Sequence, residues 1–510
     1  MRYSMLLLLA AATWAPKNTD ADADSAPLTE AQWWAMIEPI LQRLWKIIET
    51  FLQQRATPVA TLQLEQQLHD EGQELLRVST QWTLHRVEVS DVDALPKHVW
   101  FEASEYTRLN HKTPQSVWTR FGQIRLWRIG YRPTDHSGDA TIFPLAMSLG
   151  LVEGTTPALA ERAAWLLGAS GMTQSQTLER LRQDHGVGWG VKKLRQVTAA
   201  VSAAMAEQRH ETQTAQLLDW LKQASASTGG HKPVLSVGRD GISLGLRVKG
   251  GRRFEVATTG TVTVLDRRGR RLGTVYLAYT PEPGQPTMSR ELTRLLKEVL
   301  RRWDGSLPRL CYVTDSGDNE TAYYEKVLRR MKHPSTGVLL DWIRVADYYH
   351  ASERIWTMAE LLFGKGQRAA GWARKMQKWL KKPGGVYRVL HSAVALRELY
   401  LPKGKRADFG KAYRYLRDRM EYMRYAEYRS LGVPLGSGVT EAGCKTVYTQ
   451  RLKLSGMSWE RSGAQTVLNL RVLQLSQVWN AAYARVLADY GEPQVRGHKR
   501  STQNRAQKAA

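Results

Sequence analysis

Cysteine is nearly absent: two residues in 510, Cys311 and Cys444, stand far apart and outside any Cys-x-x-Cys spacing. That excludes a disulfide scaffold and a cysteine zinc site, and it fits a reducing compartment. Membrane-length apolar runs are lacking too. The stretch from Met5 to Ala12 behind Arg2 imitates a secretory signal but is too short to cross a bilayer. It reads as a true signal or as an extension upstream of the folded protein, and the charge and cysteine usage favour the second. No G-x-x-x-x-G-K-[ST] loop occurs, so ATP-driven chemistry is unsupported.

Acidic residues are the minority charge, 48 Asp and Glu against 73 Lys and Arg, which leaves a formal net charge of +25. So large an excess repels itself in a compact state, and a polyanion relieves that cost by exchanging its condensed counterions for Lys and Arg. With 43% hydrophobic residues the chain can bury cores, and a disordered or collagen-like chain is excluded. At about 150 residues per domain the length suggests about three domains.

The segment 1–27 is expected to be a signal-like or disordered extension, and 28–117 a helical region. Thr29 to Gln32 read as a capping box, followed by Trp33, Met36, Ile37 and Ile40 at helical spacing, with a second helix from about Ala60 to Leu84. A β-hairpin turning near Gly122 is expected within 118–145. The segment 146–223 reads as helical. Within it, Thr173 caps one helix, Asp184 to Val187 make a glycine turn, and a second helix buries Leu194, Val197 and Val201 while carrying Lys192, Lys193 and Arg195 elsewhere. That is a helix-turn-helix pattern, which places the second helix in the DNA major groove with its basic residues on phosphates. An ordinary helical hairpin has the same pattern.

The small-residue stretch Ala224 to Pro233 is the expected linker. After it, strands from Val234 to Tyr279, a helix from about Met288, a strand at Leu310 to Thr314, a helix and a strand ending near Val345 make a mixed α/β domain. The core is expected in two parts, 234–360 and 434–490, around a basic helical stretch at 361–433. A basic disordered tail is expected at 491–510.

Three acids occupy special positions: Asp240 on the first strand after the linker, Asp315 closing the strand Leu310 to Thr314, and Glu441 in the first turn of a helix after Gly436-Ser437-Gly438. Ligands of open α/β sheets bind outside the carboxyl ends of the strands, so these acids are expected to converge there. Such oxygen ligands suit Mg²⁺ or Mn²⁺, and two ions about 3.5–4 Å apart serve in-line phosphoryl displacement. Local roles compete: a turn with Gly241 for Asp240, an Asx turn before Ser316-Gly317 for Asp315, and a pair with Lys445 for Glu441.

The motifs VGRDG at Val237 to Gly241, YVTDSGDNE at Tyr312 to Glu320, RVADYYHASE at Arg344 to Glu353, and PLGSGVTEAGCKTVYTQRLKLSGMSW at Pro434 to Trp459 together resemble bacterial insertion-sequence DDE transposases, closest to the Kra group. The resemblance runs from about Thr119 to Tyr490. It implies an α/β, RNase H-like catalytic domain with a helical insertion, preceded by an all-helical N-terminal region with the helix-turn-helix. It implies that Asp240, Asp315 and Glu441 form the catalytic metal triad for two Mg²⁺ (or Mn²⁺) ions, and that Asp347 to His350 match an Asp-x-x-His motif near the site. Asp318 competes with Asp315 as second ligand, and Asp347 with Glu441 as third. His350 is expected to position DNA or a carboxylate, or to bond locally. Lys445 and Arg451 are expected on phosphate, or on a solvated basic face.

The implied activity is metal-dependent cleavage and strand transfer of double-stranded DNA, at terminal repeats and a target, by a homodimer or larger assembly in the nucleoid-associated cytoplasm, without a membrane partner. Competing readings are an RNase H-like nuclease without strand transfer, a non-catalytic helix-turn-helix regulator, and a secreted basic protein.

Overall fold

The capping box at Thr29 closes in the computed structural model, which describes residues 29–134, 139–489 and 494–495. The Thr29 N–H donates to Gln32 Oε1 at 2.7 Å and the Gln32 N–H returns to Thr29 Oγ1 at 3.2 Å, starting the helix Glu30–Gln53. Its Ile37 and Ile40 pack with Val78 of the helix Pro58–His85. The extension 1–27 lies outside the described residues. So does the tail, apart from Gln494–Val495.

The chain divides into two compact units, 1–166 with 173–201 and 486–510, and 167–172 with 202–485. The first unit holds a four-stranded sheet of order β3-β2-β1-β9, from β1 (His98–Phe101), β2 (Ser104–Thr119), β3 (Gly122–Pro133) and β9 (Gln494–Val495). The hairpin turns at Arg120-Phe121, with Thr119 opposite Gly122. The expectation of an all-helical 28–117 is corrected here, because β1 and most of β2 fall inside it. Strand residues such as Arg108, Asn110, His111 and Lys112 hide the alternation that buries Val99, Tyr106 and Val117.

The helix Gln174–His185 starts at a second capping box, Thr173 with Gln176, and stops at Gly186, whose φ of 61° lies in the left-handed region that glycine adopts without cost. A helix of 36 residues, Val191–Ala226, follows. It takes the first three residues of the expected linker, and the division between units falls inside it at Val201/Ser202.

The second unit is a mixed α/β layer structure. Its sheet has the order β6-β5-β4-β7-β8, from β4 (Val234–Val248), β5 (Gly251–Leu265), β6 (Arg271–Tyr279), β7 (Arg309–Thr314) and β8 (Trp342–Ala346). β4, β5 and β6 pair antiparallel, while β7 and β8 continue from β4 in parallel. β7 shows how period-2 geometry builds two cores: Leu310 and Tyr312 join the cluster under the helix Pro286–Arg302, and Cys311 and Val313 join the cluster under the helices between 348 and 433. Burying each such Leu or Val contributes about 1.5–3 kcal/mol. The helices on the second face are Tyr348–Phe363, Gln367–Leu380, Gly385–Tyr400, Arg406–Asp418 and Tyr425–Ser430, inserted between β8 and the helix Gly438–Cys444. Among the described residues no helix is long and apolar enough to cross a membrane.

Candidate active site

Register brings the acids together. Val237 lies beside Tyr312 and Thr314 beside Ala346. Carried three residues past the last β4–β7 pair, that alignment puts Asp240 level with Asp315, which just follows β7, and Asp347 just follows β8. The Asp347 N–H donates to the Thr314 carbonyl at 2.9 Å, so the alignment persists at the strand ends.

Glu441 reaches the same place from a helix. The helix Gly438–Cys444 lies across β4 and β5, where Thr440 Oγ1 and Thr261 Oγ1 hydrogen-bond at 2.7 Å and Cys444 Sγ lies 3.2 Å from Thr259 Oγ1. Only glycine permits this approach at position 238, since a Cβ there would stand 2.0 Å from Thr440 Oγ1. The Glu441 carboxylate lies 2.9 Å from Ser437 Oγ, whose one proton it shares with Asp347, and 3.3 Å from His350 Nε2. Among the described residues no ion pair joins it to Lys445.

The electrostatics are those of crowded carboxylates. Burial pushes the Asp240 carboxyl above its usual range, and the charges of Asp315 and Glu441 push the same way, against hydrogen bonds from the Cys444 thiol and the Gly241 N–H. Burial also raises Glu320, which the sequence reading passed over; Asp315 and Asp240 add to the shift. Its carboxylate reaches the turn after Asp315, where a Cβ on Gly317 would stand 2.5 Å from Glu320 Oε2. Burial lowers the pKa of His350, but Asp347, Glu353 and Glu441 outweigh it and leave the pKa raised.

The candidates are placed unevenly. Asp240 and Asp315 are half-buried: Asp315 accepts from the Gly317 N–H at 3.1 Å as an Asx turn would, while Asp240 accepts from the Gly241 N–H at 2.7 Å inside a continuous strand, which corrects the expectation of a turn there. Asp318 is exposed on the first turn of the helix Asp318–Lys326. Asp347 is 0% exposed, and both its oxygens are occupied: Oδ1 accepts from the N–H groups of Tyr349 (2.5 Å) and His350 (3.0 Å), Oδ2 from the N–H and hydroxyl of Ser437. It anchors the turn before Glu441 rather than offering a free oxygen.

Lys445 is exposed, on a π-helical turn that continues from the Glu441 helix. Arg451 is a correction. Its side chain is 0% exposed, donates to the Leu167 carbonyl at 2.8 Å, and has its pKa lowered by burial to about 10. A guanidinium held inside the fold does not face phosphate. In the first unit Lys192 and Arg195 are exposed, Arg195 donating to Gln174 Oε1 at 3.0 Å, and the Lys193 ammonium donates to the Glu153 carbonyl.

Hard oxygen donors with few competing cations suit a divalent metal. No Lys or Arg pairs with Asp240 or Asp315 among the described residues, and the Asp240 carboxyl is raised first by burial and further by its acidic neighbours. Among the described residues, no three His, Cys, Asp or Glu side chains lie close enough to enclose an ion. The fit is therefore one of donor chemistry rather than of a closed cluster.

No family model matches the chain. A curated protein of Streptococcus gallolyticus, described as "UPF0236 protein in vanSb 3'region", is 25% identical over 371 residues, covering 71% of this chain and 73% of its own length.

Proposed function

We propose that the protein is a DDE transposase with an RNase H-like catalytic core, acting on double-stranded DNA in the cytoplasm at the nucleoid. The observation that carries this reading is the level placement of Asp240 and Asp315 on adjacent parallel strands, with the Glu441 helix docked on the first of them. The strand order β6-β5-β4-β7-β8, three antiparallel strands continued by two parallel ones, supports an RNase H-like core, and the motif resemblance supports transposition over simple cleavage.

Asp240, Asp315 and Glu441 would hold two Mg²⁺ or Mn²⁺ ions, which when bound activate an attacking oxygen and stabilise the leaving one. The chain's own work is positioning. Ser437 and His350 fix the rotamer of Glu441, and Asp347 holds the turn from which that helix starts. Lys445, exposed one turn beyond Glu441, meets the DNA backbone. The paired helices Gln174–His185 and Val191–Ala226 act as a helix-turn-helix that reads the terminal repeats, with Lys192 and Arg195 exposed to meet phosphate. A homodimer or larger assembly on two DNA ends is part of the proposal.

The test is cleavage and joining of a plasmid carrying the element's flanking DNA, in Mg²⁺ or EDTA, for wild type and for Asp240→Ala, Asp315→Ala and Glu441→Ala. Joined products that require metal and all three acids are expected. Nicks without joining would make it a nuclease, and binding without any cutting by wild type would leave a DNA-binding regulator.

A further inference from the structure

Between residues 361 and 396 the chain carries eight Lys and Arg and no Asp or Glu. All eight are exposed, and among the described residues none makes an ion pair. Several surface cations elsewhere do have carboxylates beside them, as in Arg43 with Glu71, Arg301 with Glu298, and Arg329 with Glu325.

The helix Gln367–Leu380 sorts its residues by face. Ala369, Ala373, Met376 and Leu380 are buried, so Arg374, Lys375 and Lys378 share the opposite side, which Lys381 and Lys382 extend just past its end. Like charges three or four residues apart on a helix repel, and no acid interrupts them. The protein carries this cost in its apo form. Arg388, on the helix Gly385–Tyr400, and Lys382 lie 4.1 and 4.5 Å from the Trp379 ring, joining both helices in one basic face. The face comes up to the end of β8, because the Lys381 ammonium lies 4.5 Å from the ring of Tyr348, the residue after Asp347.

We infer that this face is a backbone-tracking surface for duplex DNA, gripping phosphates without reading sequence and leading the strand to the acidic end of the sheet. The inference rests on the reading of those acids as a DNA phosphoryl-transfer site. Cations one turn apart, about 5–6 Å along the helix, can follow a phosphate backbone, whereas Tyr387 is the one large apolar side chain exposed among the described residues between 361 and 396, less than a lipid surface requires.

The test measures anisotropy of a labelled random-sequence duplex against salt, using the full chain. R374Q/K375Q/K378Q/K382Q is compared with R43Q/R290Q/R301Q/R329Q, which removes the same charge from paired sites. The first variant is expected to lower the salt slope by about 3 to 4 and weaken binding at least about tenfold at physiological salt, while the control moves the slope by less than about one. Equal losses from both variants, unchanged binding by the first, or wild-type binding to phosphatidylserine vesicles but not to duplex would overturn it. If the fourfold variant loses its native circular dichroism, K378Q/K382Q carries the same test, with about half the slope change. Loss of DNA grip by these variants alongside a wild type that never cleaves in Mg²⁺ would sink the catalytic reading and leave the surface standing.

Discussion

Asp347→Asn separates an anchor from a metal ligand. The substitution keeps the shape of the side chain and lets Oδ1 go on accepting from the Tyr349 and His350 N–H groups. At the other position an NH₂ now faces the Ser437 N–H, so one backbone donor loses its partner inside the protein and the Ser437 hydroxyl must turn away. A hydrogen bond to a charged acceptor contributes about 1.5–3 kcal/mol and an orphaned buried donor costs about 1–3 kcal/mol. Because the two bonds share one oxygen these terms overlap, and about 3–5 kcal/mol is expected in all. Urea unfolding followed by tryptophan fluorescence measures it. Mg²⁺ should still raise the melting temperature of the folded variant, as in wild type, whereas Asp240→Asn should abolish that rise. A variant of wild-type stability that no longer responds to Mg²⁺ would refute the anchor and make Asp347 a ligand.

Gly238→Ala should displace the Glu441 helix, since the new Cβ would meet Thr440 Oγ1 at 2.0 Å; a loss of about 1–3 kcal/mol and of metal-dependent cleavage is expected, with Gly241→Ala no substitute because its Cβ meets Val256 instead. Arg451→Ala should cost about 3–5 kcal/mol in unfolding free energy by leaving a cavity and the Leu167 carbonyl without its donor, yet the folded fraction should keep the wild-type salt slope for DNA, a result that a phosphate contact would contradict. Burial pushes the Cys311 thiol up to about 12 and Cys444 higher still, so neither should react with Ellman's reagent before the protein unfolds; fast reaction of the native chain would be inconsistent with both positions. Burial lowers the pKa of His85, His185 and His210 below 6.5. The unfolded state then binds more protons, so stability is full above pH 6.5 and declines as pH falls through that value towards the depressed native pKa values; melting temperatures from pH 8 to 5 should show the fall, and His85→Gln should reduce it.

Legibility followed the strength of local signals. Capping boxes at Thr29 and Thr173 and the stripe Leu292, Leu295, Leu296 and Val299 mark helices because each depends on residues within a turn or two of one another. Strands that meet solvent on one face are harder. β2 carries Pro114 and a run of polar residues, and its bulge between Arg108 and Lys112 interrupts even the alternation. Turn chemistry at Asp240-Gly241 competes with the strand in sequence, yet β4 continues through them, with Asp240 opposite Thr259 and Gly241 opposite Thr258. Pairing with β5 supplies what the two residues lack in strand propensity. The basic residues show the opposite failure: a charge in a basic sequence reads as surface, and Arg451 is inside because a carbonyl 284 residues away in sequence accepts from it.

The convergence of the acids was legible but not what holds them, because that comes from the segment that reads as an insertion. Tyr415 donates its hydroxyl to the Asp315 carbonyl at 2.9 Å and Arg419 donates to the Ser316 carbonyl at 2.9 Å. Ser316 has φ of 64°, a conformation costly for a residue with a Cβ and maintained only where surroundings impose it. Tyr425 and Tyr428 donate to the carbonyls of Ala346 and Arg344 at 2.8 and 3.0 Å, along the strand that ends at Asp347. Those four side chains lie about 75–105 residues from the groups they hold, and no spacing rule links them. The helical segment is therefore part of the wall of the site. Excising 361–433 would strip donors from both strand ends and release the backbone after Asp315, so a shortened chain should lose the alignment of the acids even though every acid remains.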